Sequence, residues 1–127
     1  MTFDDAVAVV EAMPDVTEGT KFGRRTWYVG GGAFAWERPF SKADLKRFGD
    51  EPAPTGPIMA LACEDLHEKE AVLAAGTKGV FTISHFDGYP AVLVALDAVT
   101  KRAFGQLVED AWLSQASMDA AEAFLER

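Results

Sequence analysis

Apolar residues recur at Phe3, Ala6, Val7 and Val10, the spacing of one helix face, and predict an amphipathic helix over residues 3–13. Thr2 is placed to cap it, Asp5 occupies the capping-box position, and Pro14 closes it. The period then falls to two. Residues 26–29 and 33–37 read as strands on either side of Gly30, Gly31 and Gly32, a permissive tight turn, so a hairpin is expected there. Alternation puts Trp27 with Val29 on one face, and Phe34 with Trp36 on one face of the partner strand. Residues 39–57 hold four of the six prolines and read mainly as loop. Within them residues 41–48 suit a short helix that Ser41 would cap and Gly49 would end, with Leu45 and Phe48 turned inward.

Residues 58–63 predict a third strand. Asp65-Leu66-His67-Glu68 is a capping-box pattern that opens a helix to about Ala75, stopped by Gly76. Residues 80–84 and 91–96 read as two more strands in a hairpin around Asp87-Gly88. The second of them is apolar at every position, as a central strand covered on both faces should be. Residues 100–127 are helical in pattern, with a stripe of Phe104, Leu107, Val108, Ala111 and Trp112. Residues 114–117 interrupt that stripe, and Ser117 can cap a short last helix carrying Ala121, Phe124 and Leu125. The order α-β-β-β-α-β-β-α predicts a single α+β domain over residues 1–127, an antiparallel five-stranded sheet with helices packed on it. Trp27, Phe34, Trp36 and Trp112 are expected in its core.

Composition alters this picture only by exclusion. The longest apolar run, residues 91–96, is too short to span a bilayer, and Asp4 and Asp5 stand where a secretory leader would be basic. A cytoplasmic location with no membrane partner is therefore expected. Cys63 is the only cysteine, which excludes an internal disulfide and a cysteine-based zinc cluster. The net charge of −8 opposes general attraction to nucleic acid, but it is unevenly spread. Residues 20–48 carry Lys21, Arg24, Arg25, Arg38, Lys42, Lys46 and Arg47 against only Glu37 and Asp44, so that segment is +5 and the remainder −13. A hairpin with Arg24 and Arg25 at its base and Arg38 at its far end could lie along a phosphate backbone as a wing. Its triglycine tip, however, carries no cation to enter a groove.

The most distinctive string is His85-Phe86-Asp87-Gly88-Tyr89-Pro90. Gly takes positive φ freely, Asp tolerates the turn and Pro fixes the exit. His85 and Asp87 could act as a general base with its orienting carboxylate, or supply two metal ligands. No nucleophile is paired with them and no third ligand can be named, so a turn held by Asp87, with His85 capping and Tyr89 packing, is the simpler reading. Cys63 ends a strand, where a free cysteine packs as a small core residue rather than as a nucleophile. There is no phosphate loop, dinucleotide fingerprint, GxSxG or HExxH. No catalytic residue, metal or cofactor is expected.

Several segments carry a resemblance in their order and spacing. They are Val16-Thr17-Glu18-Gly19, Phe22-Gly23, Trp27-Tyr28-Val29-Gly30 leading into Phe34-Ala35, Glu70-Ala71-Val72-Leu73, residues 85–90 continuing into Val92-Leu93-Val94, and Ala111-Trp112. Together they resemble the MmcQ/YjbR family of small bacterial proteins over most of residues 3–126. The resemblance implies a fold like that of the bacterial frataxin homologue CyaY, an α/β sandwich, and brings the family's usual label, DNA-binding. It carries no catalytic residues to numbered positions, and Ala91 stands where many members have a bulky residue. The frataxin-like fold also raises iron, but Asp4, Asp5, Glu11, Asp15 and Glu18 make a sparse acidic face that a solvated helix explains equally well. The leading expectation is thus double-stranded DNA met through Lys21, Arg24, Arg25, Arg38, Lys42, Lys46 and Arg47. The alternative is a protein or small-molecule partner in a pocket near His85, Asp87 and Tyr89.

Overall fold

The Thr2 hydroxyl accepts the Asp5 amide and the Asp5 carboxylate accepts the Thr2 amide, each at 3.0 Å, and this capping box opens α1 (Phe3–Glu11). The computed structural model describes residues 1–127. After α1 come β1 (Thr17–Lys21), β2 (Arg24–Val29), β3 (Gly32–Glu37) and α2 (Lys42–Phe48), then β4 (Ile58–Ala62) and α3 (Leu66–Ala74). The chain continues through β5 (Val80–Phe81), a 3₁₀ turn (Ser84–Phe86), β6 (Ala91–Ala95), α4 (Lys101–Gln115) and α5 (Met118–Leu125). The strands make one antiparallel sheet in the order β1-β2-β3-β4-β6-β5. The central strands β4 and β6 are buried at every position, as the unbroken apolar run of residues 91–96 requires.

One sheet face holds the main core. Trp27, Met59, Leu61, Val92 and Val94 meet Val10 of α1 and Phe104, Val108 and Trp112 of α4. Both buried indoles keep their N–H groups paired, Trp27 with the Glu11 carboxylate (3.1 Å) and Trp112 with the Pro14 carbonyl (2.9 Å). The other face carries a smaller cluster, Ile58, Ala60, Phe86, Ala91 and Leu93, with Phe40, Phe81 and Trp36 against it. That cluster lies over β4, β6 and β5, and leaves the β1–β2–β3 end of the same face open. No helix is long and apolar enough to cross a membrane.

The sheet has six strands, not five. The extra one is β1, an edge strand exposed at four of its five positions, which therefore carries no hydrophobic alternation. Phe34 and Trp36 do not share a face. Trp27 pairs with Ala35 and Tyr28 with Ala33, so Phe34 is the extra residue of a β-bulge. It turns with Ala35 into the main core, while Trp36 lies half-buried on the other face instead of in the main core. The strand expected over residues 80–84 ends at Phe81, and β5 and β6 are joined by residues 82–90 rather than by a tight Asp-Gly hairpin. In α2 Leu45 is half-exposed and Asp44 is the buried residue. At α3 the Asp65 side chain caps Glu68, but the Glu68 carboxylate reaches back to the Glu64 amide rather than closing the box on Asp65.

Candidate functional site

Lys21 and Arg24 are cross-strand partners at the end of the β1–β2 ladder, so only Phe22 and Gly23 form the turn, at φ +53° and +73°. Such a two-residue hairpin turn takes positive φ at both places, which Gly accepts freely and Asn or Asp usually fill at the first. A bulky residue there is strained by about 1–2 kcal/mol. Burial does not offset the strain, because Phe22 is 92% exposed. An apolar ring held in left-handed backbone and left in solvent is a local cost of the kind that collects at binding surfaces.

The Phe22 ring stands beside a hollow on the open end of the sheet. Thr26 pairs with Trp36 and Tyr28 with Ala33, and the bulge at Phe34 between them brings Trp36 and Ala33 to the same side as Thr26. Lys21, Phe22, Thr26, Ala33, Trp36 and Tyr89 together line a groove of about 120 Å³. Thr26 and Ala33 are small and form its floor, and three aromatic rings form its walls. The Lys21 ammonium sits at the rim, 5.8 Å from the centre of the Phe22 ring. No carboxylate lines the groove.

Tyr89 reaches the groove through the 85–90 string. Its amide donates to the Phe86 carbonyl (3.0 Å) across Asp87 (φ −59°, ψ 132°) and Gly88 (φ +74°), which is a type II turn and needs Gly at its third position. The preceding 3₁₀ turn buries Phe86 and leaves the Tyr89 ring edge-on to Trp36 at 6.3 Å. Lys69 of α3 fastens this turn from beneath. Its buried ammonium donates to the carbonyls of Phe86 (2.5 Å) and Tyr89 (2.8 Å) and makes no ion pair. Lys69→Met keeps most of the side-chain volume and removes both charge-assisted bonds. It is expected to destabilise the fold by about 1–2 kcal/mol and to speed amide exchange over residues 84–90 well beyond that of β6. Unchanged exchange there would show that the turn does not depend on Lys69.

The seven cations of residues 20–48 do not form one surface. Arg25 faces the helix-covered side, packs over Phe3 and Trp27, and donates two bonds to Glu18 (2.9 and 3.0 Å), which hold the Glu18 carboxyl below its usual range. Arg38 donates to Asp44 and to the Pro39 carbonyl, both at 2.8 Å, and lies over the Phe86 ring. Arg47 stands 3.6 Å from the other Asp44 oxygen. Burial pushes the Asp44 carboxyl up, but hydrogen bonds from Arg38 and from the Ser41 amide and hydroxyl outweigh it and hold the pKa at about 2. Lys21, Arg24, Lys42 and Lys46 make no ion pair; Lys21 lines the groove, Arg24 is its exposed cross-strand partner, and the others are exposed on α2.

His85 and Asp87 are exposed and make no hydrogen bond to each other. Asp87 instead borders a separate shallow depression with Lys69, Glu70 and Gly88, so of His85, Asp87 and Tyr89 only Tyr89 lines the groove. The Cys63 thiol is buried and pushed up to about 11, by burial first and by nearby Glu68 second, which disfavours the thiolate at neutral pH. Phe22, Thr26, Ala33 and Trp36 are groove residues outside the candidate sites read from the sequence, which assigns Trp36 to the core. Lys21-Phe22-Gly23-Arg24 did carry a signal, a turn dipeptide with an aromatic where Asn belongs.

A six-stranded antiparallel sheet with helices packed on it defines a small α+β sandwich. A crystal structure of a Pseudomonas syringae protein has the same fold, with a TM-score of 0.68 over 91% of this chain and 99% of that one, at 10% identity. The chain belongs to the YjbR family, whose model matches residues 11–114. It is 40% identical to uncharacterized protein Rv2570 of Mycobacterium tuberculosis and to uncharacterized protein Mb2600 of Mycobacterium bovis, over 98% of this chain and 95% of each relative.

Proposed function

We propose that this YjbR-family protein is a non-catalytic nucleic-acid-binding module that takes an unpaired strand on the open end of its sheet. The observation that carries this reading is the convergence, at one groove, of the rings of Phe22, Trp36 and Tyr89 with the Lys21 ammonium, whose cross-strand partner Arg24 likewise makes no ion pair. Bases stack on aromatic faces regardless of sequence, at about 1–3 kcal/mol each, while flanking cations meet the phosphates. A duplex hides its base faces, so the aromatic lining favours a single strand over double-stranded DNA. Arg25, Arg38 and Arg47 serve carboxylate partners, which leaves Lys21 and Arg24, with Lys42 and Lys46 on α2, to supply the charge. At −8 overall the protein's long-range field repels phosphate, so binding is short-ranged and modest.

Fluorescence anisotropy of a labelled single strand and of its duplex, at ~50 and ~200 mM salt, tests this. Two phosphate contacts give a log–log slope of about −1.4 on a single strand, an affinity loss of about sevenfold over that range. A Lys21→Ala/Arg24→Ala variant is expected to lose the slope. Absence of binding at the lower salt, or a preference for duplex that the variant keeps, would contradict the reading. A second reading, a small-molecule or protein ligand seated at Tyr89, draws support from the groove's volume, near that of a cavity of about 150 Å³ that holds one benzene ring. It predicts binding that persists in the Lys21/Arg24 variant, changes little with salt, and is lost in Tyr89→Ala.

A further inference from the structure

The open end of the sheet continues past the groove. Glu18 pairs with Trp27 and Glu37 with Met59, both of the main core, so the only carboxylates of β1, β2 and β3 face the helix-covered side. Alternation leaves Gly19, Lys21, Arg24, Thr26, Tyr28 and Trp36 on the other side. A chain of net charge −8 thus keeps one sheet surface that carries cations and no acid. On it Tyr28 stands directly across from Ala33 of the groove floor. Its ring runs away from the groove, over β1, where a Cβ on Gly19 would come within 3.1 Å of the Tyr28 Cε2. Gly19 does not take positive φ, so the backbone does not call for glycine, and glycine weakens a strand. The ring is what needs the space. Tyr28 belongs to neither core cluster and pairs with no other ring. We propose that Tyr28 is a second base-stacking position beside the groove. The open sheet then takes two bases of one unpaired strand, one in the groove and one on the Tyr28 ring, with Lys21 and Arg24 on the same surface for the phosphates. This rests on the nucleic-acid reading above.

The test compares the intact protein with Tyr28→Leu on two labelled ~12-nucleotide strands, an oligothymidine and one that is abasic except for a single central thymine. At ~50 mM salt Tyr28→Leu is expected to lower affinity for the oligothymidine about tenfold, the loss of one stacking contact. Affinity for the one-base strand, whose base sits in the groove, should change by less than about twofold. Tyr28→Phe keeps the ring and should restore the oligothymidine affinity, which separates stacking from any effect of the hydroxyl. Tyr89→Ala, by contrast, should weaken both strands. An oligothymidine affinity unchanged in Tyr28→Leu would overturn the inference and leave strand binding standing. An equal loss on the two strands would overturn it as well, because it would mean that the variant disturbs the groove itself. No binding of either strand by the parent protein would remove both readings.

Discussion

Phe22→Asn is expected to make the protein more stable and its strand binding weaker at once. Asn enters the left-handed region readily where Phe is strained, so the exchange should gain about 1 kcal/mol and raise the melting temperature by about 3–4 °C. The ring it removes is 92% exposed and packs in no core cluster, so little is lost in return. Binding of a single strand should fall by about tenfold or more, the loss of one stacking contact. Phe22→Ala separates the two effects, because Ala relieves less of the backbone strain yet loses the same ring. Thermal unfolding beside anisotropy reads both quantities. A Phe22→Asn protein that melts lower than the parent would mean that the ring packs against the fold and that the turn is not kept for a ligand.

Asp44→Ala should give the largest loss of stability. Asp44 is 2% exposed, caps α2 through Ser41 and neutralises Arg38, whose side chain is itself only 18% exposed. Removing it strands the guanidinium and opens the helix cap, at about 3–5 kcal/mol, a fall in melting temperature of about 10–20 °C. The pH dependence follows from the lowered carboxyl. The pKa is about 2 in the fold against an ordinary 3.8, so the ionised form is favoured by folding. The contribution, about 2 kcal/mol, is complete above the ordinary value and is lost as the pH falls through 2. The stability gap between the parent and Asp44→Asn should therefore hold constant above about pH 5 and narrow below about pH 4. A gap of the same size at pH 2.5 as at pH 7 would contradict the pairing.

Where burial imposes a period on the chain, the fold is legible in the residues. The stripe of Phe3, Ala6, Val7 and Val10, the caps at Thr2, Ser41 and Ser117, and the unbroken apolar run of β6 all form the elements they predict. The segments that stayed illegible are those whose structure is set by neighbours. β1 is polar on both faces because it is an edge, so nothing in Thr17–Lys21 announces a strand. The bulge at Phe34 is a property of the β2–β3 pair, and a strict alternation assigns Trp36 to the wrong face. Lys69 lies seventeen and twenty residues from the carbonyls it holds, beyond the reach of any local pattern.

The groove shares that origin. Tyr89 was marked by its turn and Lys21 and Arg24 by their charge, but as parts of two different candidate sites. Only the sheet, with its bulge and the Lys69-held turn, brings Tyr89 beside Lys21, Phe22 and Trp36. Charge counting likewise overstates the basic segment, because Glu18 and Asp44 occupy Arg25, Arg38 and Arg47 in three dimensions.

The most direct measurement is a two-dimensional ¹H–¹⁵N NMR titration with a short oligothymidine at low salt. Shifts centred on the Lys21–Arg24 amides, the Trp36 indole N–H and the Gly88–Tyr89 amides are the predicted result. Shifts centred on α1 and α4, on the exposed cations of α2 alone, or on no residue at all would contradict a ligand site on the open end of the sheet.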